Sequence, residues 1–456
     1  MSSEPRKENA VPQPLTAESS SPSGDLLRRD RTYVWHPFTQ AGSAPPPLPV
    51  VRARGPWLEL ADGRRVLDGI SSWWTNLHGH GHPAITEAIA RQAAELDHVL
   101  FAGCTHPPAV EVSEKLIRLA PGRLSRVFFS DDGSTAVEVA LKMAFQYWLN
   151  RGRSEKRGFV ALEHAYHGDT VGAMSVGDPA DFSSTFAPLL FPVARVPTAS
   201  CSHCPVGLER RTCSIDCLTR LRELLEKDSS RIAAVLLEPM VQAAGGMIIT
   251  PPEFLRGVAD LCREHDVLLI ADEVMTGFGR TGKMFAVEHA GVEPDLMCVA
   301  KGLTGGVLPL AATLATEEVF EGFLHPDRRR AFLHGHSFTA NPIACAAATA
   351  SLGIFEREPV MEHITSLEKI YAERLPDLGK HPRVREVRWL GSLGVVELRA
   401  DDPSYFNELG PRLHRDFLER GVLLRPLGPV MYTLPPYAIE PAQLGSILDL
   451  MEEMLG

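Results

Sequence analysis

Five short, nearly continuous apolar runs recur along residues 126–300 with helix-like stretches between them. They are Arg126–Ser130 (RVFFS), Gly158–Leu162 (GFVAL), Ile232–Leu237 (IAAVLL), Val267–Ala271 (VLLIA) and Leu296–Ala300 (LMCVA). A strand with one wet face alternates apolar and polar residues, whereas a continuous run suits a strand covered on both faces. Between these runs, Val137, Leu141, Phe145 and Trp148 recur at helical spacing within Ser134–Asn150, with Ala136, Ala140 and Ala144 beside them. Pro251–His265 reads as a second amphipathic helix. Strand–helix alternation of this kind predicts an α/β fold with a mainly parallel sheet and helices on both faces. Such sheets present ligands at the carboxyl ends of their strands, so the residues just after each run are the ones to inspect.

Composition narrows the class. The chain has 456 residues, 44 % hydrophobic and 23 % charged, and a net charge of 46 − 57 = −11. That balance argues against nucleic acid as a partner. The most apolar stretch, Ile232 to Thr250, contains Glu238, Pro239 and Gln242, and Ala340 to Phe355 is too short to span a bilayer, so no membrane role is expected. The first residues carry charges without an apolar run behind them, unlike a signal peptide. Eight cysteines are too sparse for a disulfide framework, which suits a reducing cytoplasm. The expected organisation is a disordered tail at 1–25, an N-terminal segment at 26–75 joining a small domain, a large domain at 76–345 and a C-terminal α+β domain at 346–456. A Cys-rich insertion lies at 200–217.

Three strand ends carry chemistry. After Ser130 come Asp131-Asp132-Gly133-Ser134-Thr135 and a helix start, where free amide groups cap the chain or hold a phosphate. The 267–271 run leads into Asp272-Glu273, and the 296–300 run leads into Lys301-Gly302. This acid and lysine could form a structural ion pair. They also match a pyridoxal phosphate (PLP) site, where an acid keeps the pyridine nitrogen protonated and a lysine forms the Schiff base. PLP needs all three features together.

Other motifs compete. Gly277 to Gly282 matches the G-x-G-x-x-G of an NAD-dependent oxidoreductase, but Asp272 to Thr276 intervene after the strand, where that fingerprint needs glycine at once. His78, His80 and His82 alternate with glycine like a metal cluster; followed by Pro83 they read as a loop lining the site. Cys201, Cys204, Cys213 and Cys217 have near-zinc spacing, either a structural zinc site or an inert or redox-sensitive insertion, with an eight-residue gap that is short for a zinc ribbon.

Six segments follow one family in order: WHPFTQ (Trp35–Gln40), DGISSWWTNLHGHGHP (Asp68–Pro83), AYHGDTVGAMSVGDP (Ala165–Pro179), LLIADEVMTGFGRTGK (Leu268–Lys283), AKGLTGG (Ala300–Gly306) and LHGHSFTANPIACAAA (Leu333–Ala348). Over about residues 30–440 the chain resembles the class III aminotransferases of PLP fold type I. WHPF, SSWW and the RPLG segment at Arg425 resemble the branch acting in the biotin pathway.

This resemblance implies a large domain with a mainly parallel, seven-stranded type of sheet, a smaller α+β domain, PLP as cofactor and a homodimer with active sites at the subunit interface. It implies that Lys301 binds PLP and shuttles protons, that Asp272 pairs with the pyridine nitrogen, and that Tyr166 stacks on the ring. Gly133 and Ser134 would hold the phosphate, helped by His336 and Ser337 from the partner subunit. Trp73, Gly335 and Phe38 would border the substrate, and Arg425 would pair with its distal carboxylate. Phe38 stands where the family has tyrosine, and His336-Ser337 where it usually has Pro-Thr. The implied reaction converts 8-amino-7-oxononanoate to 7,8-diaminononanoate with S-adenosylmethionine as amino donor. Lysine is the alternative donor, and another ω-amino acid transaminase the alternative enzyme.

Overall fold

The computed structural model describes residues 22–178 and 183–456. Most of the expected 1–25 tail lies outside them; its last residues belong to a helix, Pro22–Tyr33.

A seven-stranded sheet forms the centre. Its spatial order is Leu124–Ser130, Ala311–Thr316, Leu296–Val299, Leu268–Asp272, Ile232–Leu237, Gly158–Leu162 and Ala194–Val196. All strands run parallel except Ala311–Thr316, which is antiparallel to both neighbours. The five predicted runs are all strands, to within two residues at each end. They are apolar throughout because both faces are covered: Leu268 and Ile270 enter one buried cluster, Leu269 and Ala271 another.

Helix Gly133–Asn150 covers one face. Asp132 caps it by accepting from the Thr135 amide at 2.9 Å, while the Thr135 hydroxyl accepts from the Asp132 amide at 3.0 Å. The helix lies close enough for the hydroxyl of Thr313 to donate to the Ala136 carbonyl at 2.8 Å. Phe145, expected on its apolar face, is exposed, and Val139, Met143 and Tyr147 are buried in addition to the other expected residues.

The N-terminal strands Val50–Arg54, Trp57–Leu60 and Arg65–Asp68 share a sheet with Val422–Leu423, which pairs in parallel with Arg65–Asp68. A three-stranded antiparallel sheet, Val384–Leu390, Leu393–Leu398 and Val430–Thr433, packs beside helix Val360–Leu378. Helix Pro342–Arg357 runs unbroken through position 345/346, where the sequence places a domain boundary, and packs on helices Pro83–Glu95 and Pro107–Leu119.

Candidate active site

The carboxyl ends of the central strands open into a cavity of about 580 Å³. Asp272 ends its strand level with Cys298 of the next, so Lys301 starts just beyond the carboxylate. Both residues line the cavity, with Gly133, Ser134, Tyr166, Trp73, Phe38 and Arg425.

Asp272 is buried, and both carboxylate oxygens are held. One lies 2.7 Å from His167 Nδ1 and the other accepts from the Val274 amide at 3.0 Å. The His167 side chain is itself inaccessible, and its Nε2 has no hydrogen bond among the described residues. Lys301 Nζ sits 5.1 Å from the centre of the Trp74 ring. Burial pulls the amine below its ordinary pKa, opposed by the charges of Asp272 and Glu238 and reinforced by Arg280. A neutral amine in a cavity is a nucleophile and a base.

Glu238, at the end of the next strand, is also buried and accepts from the Tyr166 amide at 3.0 Å and the Ala243 amide at 3.1 Å. Burial pushes its carboxyl up to about 7, and Asp272 adds to the rise. The Tyr166 hydroxyl is raised above its ordinary value, first by burial and then by Asp169.

Elsewhere in the cavity lining the Arg425 guanidinium lies 5.2 Å over the Trp73 ring, and Nη2 reaches the Tyr405 hydroxyl at 3.4 Å. Phe38 meets Trp73 edge-on at 5.5 Å. Trp74 behind it is buried and donates to the Tyr432 hydroxyl at 3.0 Å. Three residues at the cavity hold left-handed backbone without being glycine: Phe38 (φ 49°), Trp74 (φ 62°) and Lys301 (φ 41°). Each costs about 1–3 kcal/mol, strain that concentrates where function fixes a side chain.

The class-III aminotransferase family model matches residues 38–455. An adenosylmethionine-8-amino-7-oxononanoate aminotransferase of Synechococcus elongatus is 46 % identical over 427 residues, covering 92 % of this chain and 99 % of that protein. The protein of the same name from Geobacter sulfurreducens is 43 % identical over 435 residues, 93 % of this chain and 96 % of the relative. Among solved structures, the enzyme of that name from Methanocaldococcus jannaschii superposes with a TM-score of 0.88 at 38 % identity, covering 94 % and 98 % of the two chains. An amine transaminase from an uncultivated Pseudomonas species, solved in its PLP-bound form, gives 0.87 at 32 % identity over 93 % and 99 %. The chain belongs to the class III aminotransferases. PLP is therefore its cofactor.

The residues present fit that group. A methyl on Gly133 would lie 2.6 Å from Val274 Cγ1, and one on Gly168 would lie 1.8 Å from Ser134 Oγ, so the backbone at the helix start is packed as closely as glycine allows. First-turn amides there suit a phosphate. A doubly held carboxylate suits a protonated ring nitrogen, and a buried lysine whose amine is pulled below its ordinary pKa suits an aldehyde.

Gly335, His336 and Ser337 are not among the cavity's lining residues, although His336 Nδ1 lies 3.2 Å from the carboxylate of Asp131 at its edge. The Gly277–Gly282 segment is a run of turns and a bend that opens no α-helix; only the four-residue 3-10 helix Ala286–His289 follows. Its Arg280 is buried, donating to the carbonyls of Pro435 and Asn76 at 3.0 and 3.1 Å, so these glycines pack a loop and cradle no dinucleotide. The His78–His82 run does not line the cavity, which corrects the expectation. Its imidazoles point to separate partners: His78 to Ser351, His80 to Asp68 and His82 to Glu358.

His167, Glu238 and Tyr405 belong to the site although the sequence reading assigned them no role. Glu238 directly follows an apolar run and His167 follows Tyr166, so the strand-end rule reaches both. Tyr405 lies in a loop with no such signal.

Proposed function

We propose that this protein transfers an amino group from S-adenosylmethionine to 8-amino-7-oxononanoate, yielding 7,8-diaminononanoate. The observation that carries the reading is one cavity lined by Lys301 and Asp272 together with an arginine, Arg425, that is set over the Trp73 ring. An acceptor with a ketone near one end and a carboxylate at the other has those two requirements. The names of the relatives described above point the same way.

PLP, when bound, supplies an electron sink for the pair released as a C–H bond beside an amine breaks. Gly133 and Ser134, at the start of the Gly133–Asn150 helix, would hold its phosphate through backbone amides and a hydroxyl. Asp272 holds the proton on the ring nitrogen, and His167 fixes the carboxylate that does so. Tyr166 lines the same cavity and would pack against the ring. Lys301 would anchor the cofactor, and its Nζ is the group that would move the proton from the amine-bearing carbon. Arg425 receives the distal carboxylate through two parallel N–H groups, with Trp73 and Phe38 flanking the alkyl chain. Phe38 brings no hydroxyl; the Tyr405 hydroxyl lies 3.4 Å from Arg425 Nη2.

A homodimer is part of this proposal. Leu333 and Phe338, flanking Gly335, His336 and Ser337, are 79 % and 61 % exposed. A second copy would cover them and carry these residues to the phosphate end of its neighbour's cavity. Among the described residues no helix is long and apolar enough to cross a membrane. A cytoplasmic setting is proposed alongside, in keeping with eight free cysteines.

The test is a donor screen with the oxononanoate as acceptor, comparing S-adenosylmethionine, lysine and glutamate. Diamine formation with S-adenosylmethionine is the expected result. Turnover with lysine alone would reassign the donor, and no diamine with any of the three would remove the acceptor.

A further inference from the structure

The insertion at 200–217 takes no part in the transfer, yet it gathers four thiols. Cys201, Cys204, Cys213 and Cys217 all line one small pocket of about 20 Å³, room for one ion and no cluster. None is in a disulfide. We propose that these four cysteines bind a single zinc ion that staples the insertion to the body of the enzyme.

Three observations support this. First, the segment lacks a framework of its own. Residues 197–215 form neither helix nor strand, and Val206 and Leu208 stand exposed. A loop without a core needs a cross-link to hold one shape. Second, one end is rigid. Cys217 opens into helix Thr219–Asp228, and its neighbour Leu218 is buried so tightly that a methyl on Gly257 would lie 2.2 Å from Leu218 Cδ1. Third, the backbone already serves a sulfur, since the Leu208 amide donates to Cys204 Sγ at 3.3 Å. Amide donors of this kind offset charge on a metal-bound thiolate.

The electrostatics agree. The four cysteines line one pocket, so removing their protons would gather four negative charges in one place. Thiolates so grouped repel one another, and a central dication reverses that and drives all four protons off. A four-thiolate set is a structural site with no open position for substrate, and soft sulfur ligands select zinc over magnesium or calcium. Among the described residues no three of the four sulfurs lie within 4.8 Å of one another. A tetrahedral site with bonds of about 2.3 Å needs sulfurs about 3.8 Å apart, so binding draws the loop inward onto Cys217. The nearby group of His203, Glu386 and Glu397 is a different matter: Arg388 lies 3.0 and 2.8 Å from the two carboxylates and Arg385 lies 3.8 Å from Glu397, so two guanidinium groups already balance the two acids.

Cys201 and His203 also line a second chamber of about 760 Å³ that shares Tyr166 and Tyr405 with the catalytic cavity. Zinc would thus fix one wall of a space adjoining the active site.

The experiment measures metal in full-length, untagged holoenzyme grown with added zinc, by plasma mass spectrometry, with PLP content measured on the same sample. About one zinc per chain is expected. Cys201→Ser and Cys213→Ser should each lose the zinc and keep the PLP, while Cys104→Ser keeps both. Zinc-depleted wild type should take up cobalt with the near-ultraviolet sulfur-to-cobalt absorption of thiolate ligation, a readout that does not depend on any variant folding. Wild type without zinc and without that cobalt band, zinc retained in both serine variants, or an intact mass showing two disulfides would each overturn the proposal. None of these outcomes bears on the donor or acceptor.

Discussion

Arg425→Ala tests the substrate end of the cavity. The guanidinium stacks over Trp73 and touches a tyrosine hydroxyl, but none of the ion pairs among the described residues includes it. A part-buried cation without an anion is matched to a ligand that brings one. A charge-assisted hydrogen bond contributes about 1.5–3 kcal/mol. The site is partly open to solvent, so the pair of bonds to a carboxylate is taken as about 2–3 kcal/mol in total. At 1.4 kcal/mol per tenfold, kcat/KM for the oxononanoate should fall about 30- to 150-fold. Arg425→Met, which keeps the packing on Trp73 without the charge, should fall similarly. Arg425→Lys should fall less, because a point charge keeps the attraction and loses the planar fork. The assay compares the free acid with its methyl ester. Wild type should prefer the acid strongly and the alanine and methionine variants should not. If Arg425→Ala loses the same factor on acid and ester, or less than threefold on the acid, Arg425 does not bind the carboxylate.

Lys301→Ala should lower the rate of the amine half-reaction by at least about 10²–10⁴-fold, the usual share of a positioned proton-transfer group, and should leave PLP removable by dialysis; activity within tenfold of wild type would refute the assignment. Glu238 sets a pH dependence of stability. Its carboxyl is pushed up to about 7 from 4.5, so between those values the unfolded chain has released a proton that the folded chain keeps. Stability is therefore highest below that window and falls as pH rises through it, by up to about 3 kcal/mol for one group. Glu273, buried and also raised to about 7, contributes a similar slope. Denaturant melts between pH 4.5 and 7 should show Glu238→Gln losing less stability with rising pH than wild type does, and an unchanged slope would show that Glu238 stays ionised.

What the sequence made legible, and what it hid, has one physical origin. The five predicted strands stand out because each is buried on both faces, and burial on both faces writes itself into consecutive residues. Ala311–Thr316 is just as buried but was not recognised. Its alanines and threonines are small because helix Gly133–Asn150 lies directly on them, close enough for Thr313 to donate to Ala136. A strand selected for closeness loses the bulk that marks a strand. The site divides in the same way. Lys301 and Asp272 were visible because neighbouring parallel strands deliver their ends to one edge, whatever the side chains do there. Which groups then pair is a matter of register and depth, and these are set by residues far apart in the chain. His167 reaches Asp272 across 105 positions, and only the three-dimensional packing shows that the histidine supports the carboxylate. The His78–His82 loop errs in the opposite direction. Its composition suggests a site, but His80 turns to Asp68, and the Asp68 carboxylate in turn accepts the amides of Ile70 and Ser72. Those bonds fix the turn that presents Trp73 and Trp74. The loop acts on the cavity by shaping its aromatic wall from behind, so replacing His80 should disturb substrate fit at Trp73 before it disturbs PLP.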